Sequence, residues 1–573
     1  MSSTKSKQQP KNAKGKNVEA SEFLAFYGTG REPENMSQAR FMSSAAESAV
    51  NDLKRSGKFR RTVGGQLFYT MDKPTPFIAP LVDGDIRLQA LINDKFGVNP
   101  ASTNLFLHII RAMQMEAHLR GQTIEVHQFC HANKKTKTVY VSLLDGKSMI
   151  KLDGDESCWE LLKTVPNGTD GVYFLDDPSW EPWTPVIDAV FDEETGYERL
   201  EHPTGLARRL LVDPINFADT ERLTKEEQKW LFEMWLRSLL LDLEEKPLLF
   251  LCGPPGSGKT VATQHVKKAL FGQSGTVDMI TKQDAFNAAV SSSPFLVLDN
   301  LDGFQSRWLI ASLATASTGI AVQLRQLYTT NDVVSVLPRA WIALTSTDSL
   351  FADNQPAIAD RMIVLNMERI GEGFGEKGQA EALILKHRNE ILTDLVFQLH
   401  DYVSMWRNSI AKKTSLRVAA FGLAVSRFAL MDGEPEKAEQ IFQKLRRSQG
   451  DLLSEHNSLF IALDDWFARH PDNKVYKGTA GMIAQTVRET TNTQMSAVGM
   501  GRKLSELKPL LVEKYQMTHD EGKTGSKFYT FHRPADGPQR EGDGHKLGDS
   551  SSASAPTVNL ADAGGWDCLW VDG

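Results

Sequence analysis

The chain has 573 residues, 24% of them charged and 41% hydrophobic, and its 65 Lys and Arg against 72 Asp and Glu leave a net charge of -7. Such a balance excludes a chain that is basic throughout, so any surface for a polyanion has to be a local patch. The four cysteines (Cys130, Cys158, Cys252, Cys568) show no C-x-x-C or metal spacing, which argues against a disulfide scaffold or a structural zinc.

Residues 1–20 carry Lys5, Lys7, Lys11, Lys14 and Lys16 with no acid before Glu19. Too little apolar surface is present there to offset the entropy of ordering, so a disordered basic tail is expected. The opening MSSTKSKQQPKNAKGKN has no apolar core and does not read as a secretory signal. The longest apolar run, Leu248–Cys252, is far short of a membrane span. Together these features predict a soluble, cytoplasmic protein with no membrane contact.

Residues 40–195 read as a mixed α/β domain. Leu105–Leu119 has helical period, and Thr123–Cys130 and Thr138–Leu144 read as strands. Asp145-Gly146 is a turn that joins the second strand to Ser148–Leu152 as a hairpin. His108, His118, His127 and His131 are close in sequence, but no carboxylate or cysteine stands at ligand spacing, so they are expected on half-buried faces without chemistry. Pro182–Pro203 is a Trp-, Pro- and acid-rich connector. Thr224 and Glu227 form a capping box that opens an amphipathic helix.

Residues 247–265, PLLFLCGPPGSGKTVATQH, carry an apolar strand into Gly253-Pro254-Pro255-Gly256-Ser257-Gly258-Lys259-Thr260 and then a helix. This is G-x-x-x-x-G-K-T in the strand–loop–helix setting it requires. Glycines let backbone N–H groups curl around an oxyanion, and the helix N-terminus adds its dipole. Lys259 suits the β and γ phosphates of a triphosphate, and the Thr260 hydroxyl suits Mg²⁺. Further on, Phe295–Leu298 is a buried strand ending in Asp299, a second Mg²⁺-orienting group. Asn300 follows where a proton-accepting Glu would be useful, and an amide cannot take a proton. Asp302 is the nearest carboxylate that could substitute.

The order of four segments then resembles the AAA+ ATPases. They are Leu298-Asp299-Asn300-Leu301, Arg325–Thr329, Trp341–Ser346 and Ala359–Leu365. More narrowly the chain is similar to superfamily 3-type helicases and to the helicase part of phage- and poxvirus-type primase–helicases, over about residues 205–430. The resemblance implies an α/β fold: an AAA+ P-loop core with a parallel sheet (205–370), a helical lid (371–450) and a winged helix (455–533). It implies ATP and Mg²⁺ as cofactors and a homo-oligomer, a hexameric ring, around single-stranded DNA. Thr345 matches the position of a polar sensor of the γ-phosphate. Arg361 matches the arginine finger, which reaches into a neighbouring subunit. Arg417, opening a lid helix, matches a second sensor that would touch the nucleotide, with Arg388 as competitor. Arg325 lies on a hairpin (320–339) that the family points into the ring channel towards DNA. The implied activity is an ATP-driven DNA helicase or translocase of phage, plasmid or prophage replication. The alternative is a non-unwinding AAA+ ATPase, a replication loader or a nucleic-acid-sensing switch in host–phage conflict.

Residues 455–469, 478–488 and 497–514 read as three helices, followed by β-like runs at Tyr515–His519 and Lys527–Phe531. Arg502, Lys503 and Lys508 fall on the third helix, and Lys523 and Lys527 on the wing, as a candidate DNA-binding set. Residues 536–573 read as a disordered acidic tail whose end, Gly565–Gly573 with Trp566 and Trp570, could dock into a protein partner.

Overall fold

The computed structural model describes residues 38–73, 75–100, 104–154, 162, 164–175, 177–192, 197–201, 203–278, 280–302, 306–325, 333–338, 340–347, 356–371, 378–408, 413–455, 457–521 and 527–534. Both tails, the tip of the 320–339 hairpin and Lys523 lie outside them.

The centre of the molecule is a four-stranded parallel sheet with the order Phe295–Leu298, Trp341–Ser346, Leu248–Cys252, Met362–Asn366. All four strands are apolar and nearly all of their residues are buried, as a parallel sheet covered on both faces requires. Alternate residues go to opposite layers. Leu249, Leu251, Val297 and Ala343 pack into one core with helices Lys225–Ser238, Lys259–Phe271, Arg388–Asn408 and Ala419–Met431. Leu248, Phe250, Leu296 and Leu344 pack into the other with helices Gln283–Ser292 and Arg307–Ser317. The result is a three-layer α/β/α unit. Asp278 adds one parallel bridge beside Leu298, the trace of a fifth strand, pinned by Lys267 at 2.6 Å.

The expected capping box is present: Thr224 Oγ1 accepts from Glu227 N and Glu227 Oε2 accepts from Thr224 N. Its helix carries Gln228, whose Oε1 accepts from Asn366 N at 2.6 Å and so fixes the end of the outer strand.

Ahead of this unit the packing is divided. Helices Gln38–Ser56, Ile86–Phe96 and Asn104–Arg120 enclose their own core with Phe59, Tyr69 and Leu81. Val139, Val141, Ile150 and Leu152, from the sheet Cys130–Asn133, Thr138–Ser142, Ser148–Leu152, Thr164–Pro166, instead join the large core of the α/β/α unit. The 40–195 stretch thus contributes to two cores. The hairpin about Asp145-Gly146 forms as expected, with Ser142 opposite Met149 and Gly146 at φ 67°. The single strand expected over Thr123–Cys130 is broken into Gln122–Thr123, Glu125–His127 and Cys130–Asn133, which belong to three different sheets. The connector at 182–203 contains an antiparallel pair, Asp188–Asp192 with Tyr197–Glu201.

After the sheet come helices Gln379–Lys386, Arg388–Asn408, Ala419–Met431 and Lys437–Glu455. The C-terminal unit differs from expectation in two respects. A strand, Val475–Thr479, lies between its first two helices and pairs with Lys527–His532. The third helix is divided at Leu507 into Ala497–Glu506 and Lys508–Tyr515, with Pro509 at the start of the second piece, where proline is tolerated. No helix among the described residues is long and apolar enough to cross a membrane.

Candidate functional site

In a parallel sheet all strands end on one edge, so whatever follows each strand is gathered there. Here that edge collects the glycine loop after Cys252, Asp299 after Leu298, Thr345-Ser346, and Met367–Ile370 after Asn366. The strand that feeds the loop and the strand that ends in Asp299 are separated by Trp341–Ser346. Thr345 therefore sits between the two.

The loop is shaped by its glycines. Gly256 (φ 80°) and Gly258 (φ 83°) occupy the left-handed region. A Cβ on Gly253 would run into the carbonyl oxygen of Met367, so only glycine lets the loop leave the sheet there. Pro254 and Pro255 are exposed, and Ser257 N donates to Pro254 O at 3.3 Å, which closes the bend. The helix starts at Lys259 with no side-chain cap, leaving its first N–H groups directed into the loop.

Lys259 is buried, and its Nζ donates to Gly253 O at 2.8 Å, Pro254 O at 3.1 Å and Ser257 Oγ at 3.3 Å. Burial holds this ammonium below the usual lysine range, opposed by Cys252, Asp302 and Asp299. Thr260 Oγ1 donates to Asp299 Oδ1 at 2.8 Å. The same oxygen accepts from the wholly buried Thr345 Oγ1, which in turn accepts from Asn300 N at 3.2 Å. Thr345 thus orients Asp299; its hydroxyl is turned to that carboxylate. A hydroxyl and a carboxylate side by side are hard oxygen donors of the kind Mg²⁺ takes, and a ring of backbone N–H groups is what a phosphate takes. The donor set fits a magnesium–triphosphate.

Asn300 is exposed and left-handed, at φ 55°. Asp302 accepts from Thr347 N at 2.6 Å and Ser346 Oγ at 2.9 Å. The Thr347 N–H, the Ser346 hydroxyl and nearby Lys259 hold its carboxyl below the ordinary aspartate range, although burial opposes them. A carboxylate stabilised in this way is a poorer proton acceptor. Its place beside the Trp341–Ser346 strand suits orientation of a water better than deprotonation.

One residue on this edge was not anticipated. Arg369 follows the outer strand, and its Nε lies 3.8 Å from where a Cβ on Gly256 would sit. Asn216 Nδ2 donates to Arg369 O at 3.4 Å, and Lys225 Nζ donates to Asn216 Oδ1 at 2.9 Å, so the segment is braced. The available signal was a cation three positions past a strand paired in parallel with the loop strand.

Arg361 and Arg417 lie on the opposite edge. Arg361 precedes Met362, the first residue of the outer strand, and its carbonyl accepts from Leu248 N at 2.9 Å, at the start of the loop strand. Five strand residues separate the two edges, roughly 13 Å at the usual rise. Arg417 NH1 donates to Asp360 Oδ2 at 3.1 Å, and Glu245 and Asp360 face Arg361. The expectation that Arg417 touches the nucleotide of its own chain is therefore corrected: the sheet's full length intervenes, and it stands instead in one patch with Arg361. Its helix also begins later than expected, at Ala419. Arg388 is buried, and its guanidinium donates to the carbonyls of Pro182, Glu181 and Leu270, a structural clamp.

The candidate DNA-binding residues are dispersed. Arg325 ends the strand Val322–Arg325, opposite Val333. Arg502 is exposed on the Ala497–Glu506 helix in line with Val498, which is 69% exposed. Lys503 turns inward and donates to Ser458 Oγ at 3.3 Å. Lys508 and Lys527 are exposed, at the starts of a helix and a strand.

Residues 210–434 match the family described as "Actinomycete integrative conjugative element replication protein". The matched stretch is less than half of the chain and contains both sheet edges. No curated protein matches. Similar solved structures include the A-form apo structure of the NrS-1 C-terminal region and a second apo structure of that region. Each is 11% identical, with TM-score 0.38, and covers 84% of this chain and 98% of the other.

Proposed function

We propose that the chain is an ATP-hydrolysing motor of DNA replication, an AAA+-type P-loop ATPase that works as a homo-oligomeric ring in the cytoplasm and translocates on single-stranded DNA as superfamily 3-type helicases do. The observation that carries it is the Thr260–Asp299 pair, 2.8 Å apart, at the mouth of a lysine-bearing glycine loop. The replication family matched over 210–434 supports the DNA part of the reading.

Bound Mg²⁺–ATP would supply the phosphoryl group and neutralise part of its charge. Gly253–Thr260 would hold the phosphates by backbone N–H groups, and Lys259 would place its ammonium on the β and γ oxygens. Thr260 and Asp299 would orient the metal, Thr345 keeping Asp299 in line. Arg369 would close on the phosphates from the same chain. Arg361, with Arg417 beside it, would serve the site of the next subunit, since its own loop is a sheet's length away. The helix–strand–helix–helix–helix–hairpin order of the C-terminal unit supports a winged helix, with Arg502, Lys508 and Lys527 available to DNA phosphates.

A second reading, a slow ATPase acting as loader or nucleic-acid-sensing switch, is favoured by Asn300 and by the low proton affinity of Asp302. Measuring ATP hydrolysis with and without single-stranded DNA, then strand displacement, separates them. Stimulation with displacement supports the motor; stimulation alone supports the loader or switch. Hydrolysis indifferent to DNA, or none, overturns the DNA-motor reading.

A further inference from the structure

The structure brings together four side chains whose spacing in sequence does not suggest a site. Glu125 and His127 are two apart on the strand Glu125–His127 and so share a face. Gln128 and Phe129 turn the chain, and His131, on the next strand, comes to stack on His127 with ring centroids 3.8 Å apart at 30°. A ligand atom from each of Glu125, His127 and His131 lies within 4.8 Å of the other two. His108 and His118, on the Asn104–Arg120 helix, do not take part.

The fourth side chain comes from the α/β/α unit. Asp242 lies between the Lys225–Ser238 helix and the Leu248–Cys252 strand. Its Oδ2 is 3.5 Å from His131 Nδ1 and 3.6 Å from His127 Nδ1, and its Oδ1 is 3.6 Å from Lys246 Nζ. An ionised carboxylate only accepts, so a ring hydrogen on His131 Nδ1 would donate to it and leave that ring's lone pair at Nε2, while His127 Nδ1 lies just beyond hydrogen-bond reach of the same oxygen. On His127, Nε2 is the nitrogen facing Glu125, at 3.7 Å from Oε2. A carboxylate behind a histidine is the outer arrangement that orients imidazole ligands of metals. Glu125 and His131 also line a cleft of about 750 Å³, whose wall includes Lys58 and Arg60.

We propose that Glu125, His127 and His131 bind a divalent transition-metal ion of the Zn²⁺ class, with Asp242 as positioning residue and an open coordination position towards the cleft. Two imidazoles and a carboxylate favour such an ion over Mg²⁺ or Ca²⁺, which prefer all-oxygen sets. Ligand atoms in a tetrahedral zinc site stand about 3.4 Å apart, given bonds of about 2.1 Å. Closing from 4.8 Å therefore needs a shift of little more than an ångström, and Glu125, 69% exposed, is placed to make it. Lys58 and Arg60 line the open side together with Asp72 and Asp170, so that wall is of mixed charge.

The test uses the full chain, stripped with a chelator and titrated with Zn²⁺ against a chromogenic chelator in excess Mg²⁺. One equivalent should bind with Kd below about 1 µM. Glu125→Gln and His131→Gln should each weaken it at least tenfold, and Asp242→Asn about 10–100-fold, while Lys259→Ala leaves it unchanged. With Co²⁺ in place of Zn²⁺, a visible ligand-field band should appear in the parent chain and be lost in Glu125→Gln. That substitution is at an exposed position, and an unchanged thermal transition shows that the variant is folded. No binding below about 10 µM, equal affinity in Glu125→Gln and His131→Gln, or loss of binding in Lys259→Ala would each overturn the proposal.

Discussion

The two edges of the central sheet are built from the same four strands, yet they are used differently. On the edge where the strands end, polar groups are bonded to one another within the chain: Lys259 to loop carbonyls, Thr260 and Thr345 to Asp299, Asp302 to Ser346 and Thr347. On the edge where they begin, Arg361 has Asp360 and Glu245 as acidic neighbours, Arg417 pairs with the same Asp360, and Arg417 and Asp360 are about half exposed. One edge is a pre-ordered site. The other is a charged face whose cations can exchange surface carboxylates for a phosphate, because exposed ion pairs of this kind are weak.

The largest test of that contrast is Arg361→Ala. It should leave nucleotide binding in place and lower turnover about 10³-fold or more, the range for an arginine finger. Mixing it with Lys259→Ala subunits should restore part of the rate, since each supplies what the other lacks; mixtures that stay inactive would break the comparison. Lys259→Ala alone should lower turnover about 10²–10³-fold, as for loss of one buried charge-stabilising donor.

A stability test follows on the helix behind the loop. Burial pushes His265 down to about 4, with Glu381 opposing and Lys268 reinforcing. The unfolded chain takes the proton more readily, so stability is complete above pH about 6.5 and falls as the pH drops towards 4, by about 3 kcal/mol in all. Denaturant titration at pH 7 and pH 5 should show the loss, and His265→Gln should reduce it. Arg369→Ala should raise the KM for ATP roughly tenfold, the value of one charged hydrogen bond, with kcat little changed; an equal fall in kcat would make it a finger in its own right. The smallest effect expected is Thr224→Ala, which removes the helix cap and should cost about 1 kcal/mol of stability without changing turnover.

Much of the loop edge was legible because its residues are consecutive. Gly253–Thr260 is one turn of backbone, and a strand ending in Asp299 is a local pattern. The roles of Thr345 and Asp302 were less so: both hydrogen-bond to groups some 45 residues away, and only the parallel register brings them there. The local pattern around Arg417 marks a lid-helix start but carries no information on which edge of the sheet that start faces. The helix packs so that its start meets Asp360 at the far edge. The histidines do not read as a site along the chain, because Glu125 meets them only through the strand pairing and Asp242 arrives from another unit.

Composition and local pattern alone settled the apolar strands, the glycine loop, the capping box and the residue types able to hold phosphate and magnesium. These depend on neighbours within a few residues, where backbone geometry acts directly. Strand order, the separation of Arg361 from its own loop and the convergence of His127 with His131 and Asp242 were decided by the tertiary structure. Such placements follow from burying both faces of the sheet at once, a condition that no short segment carries by itself.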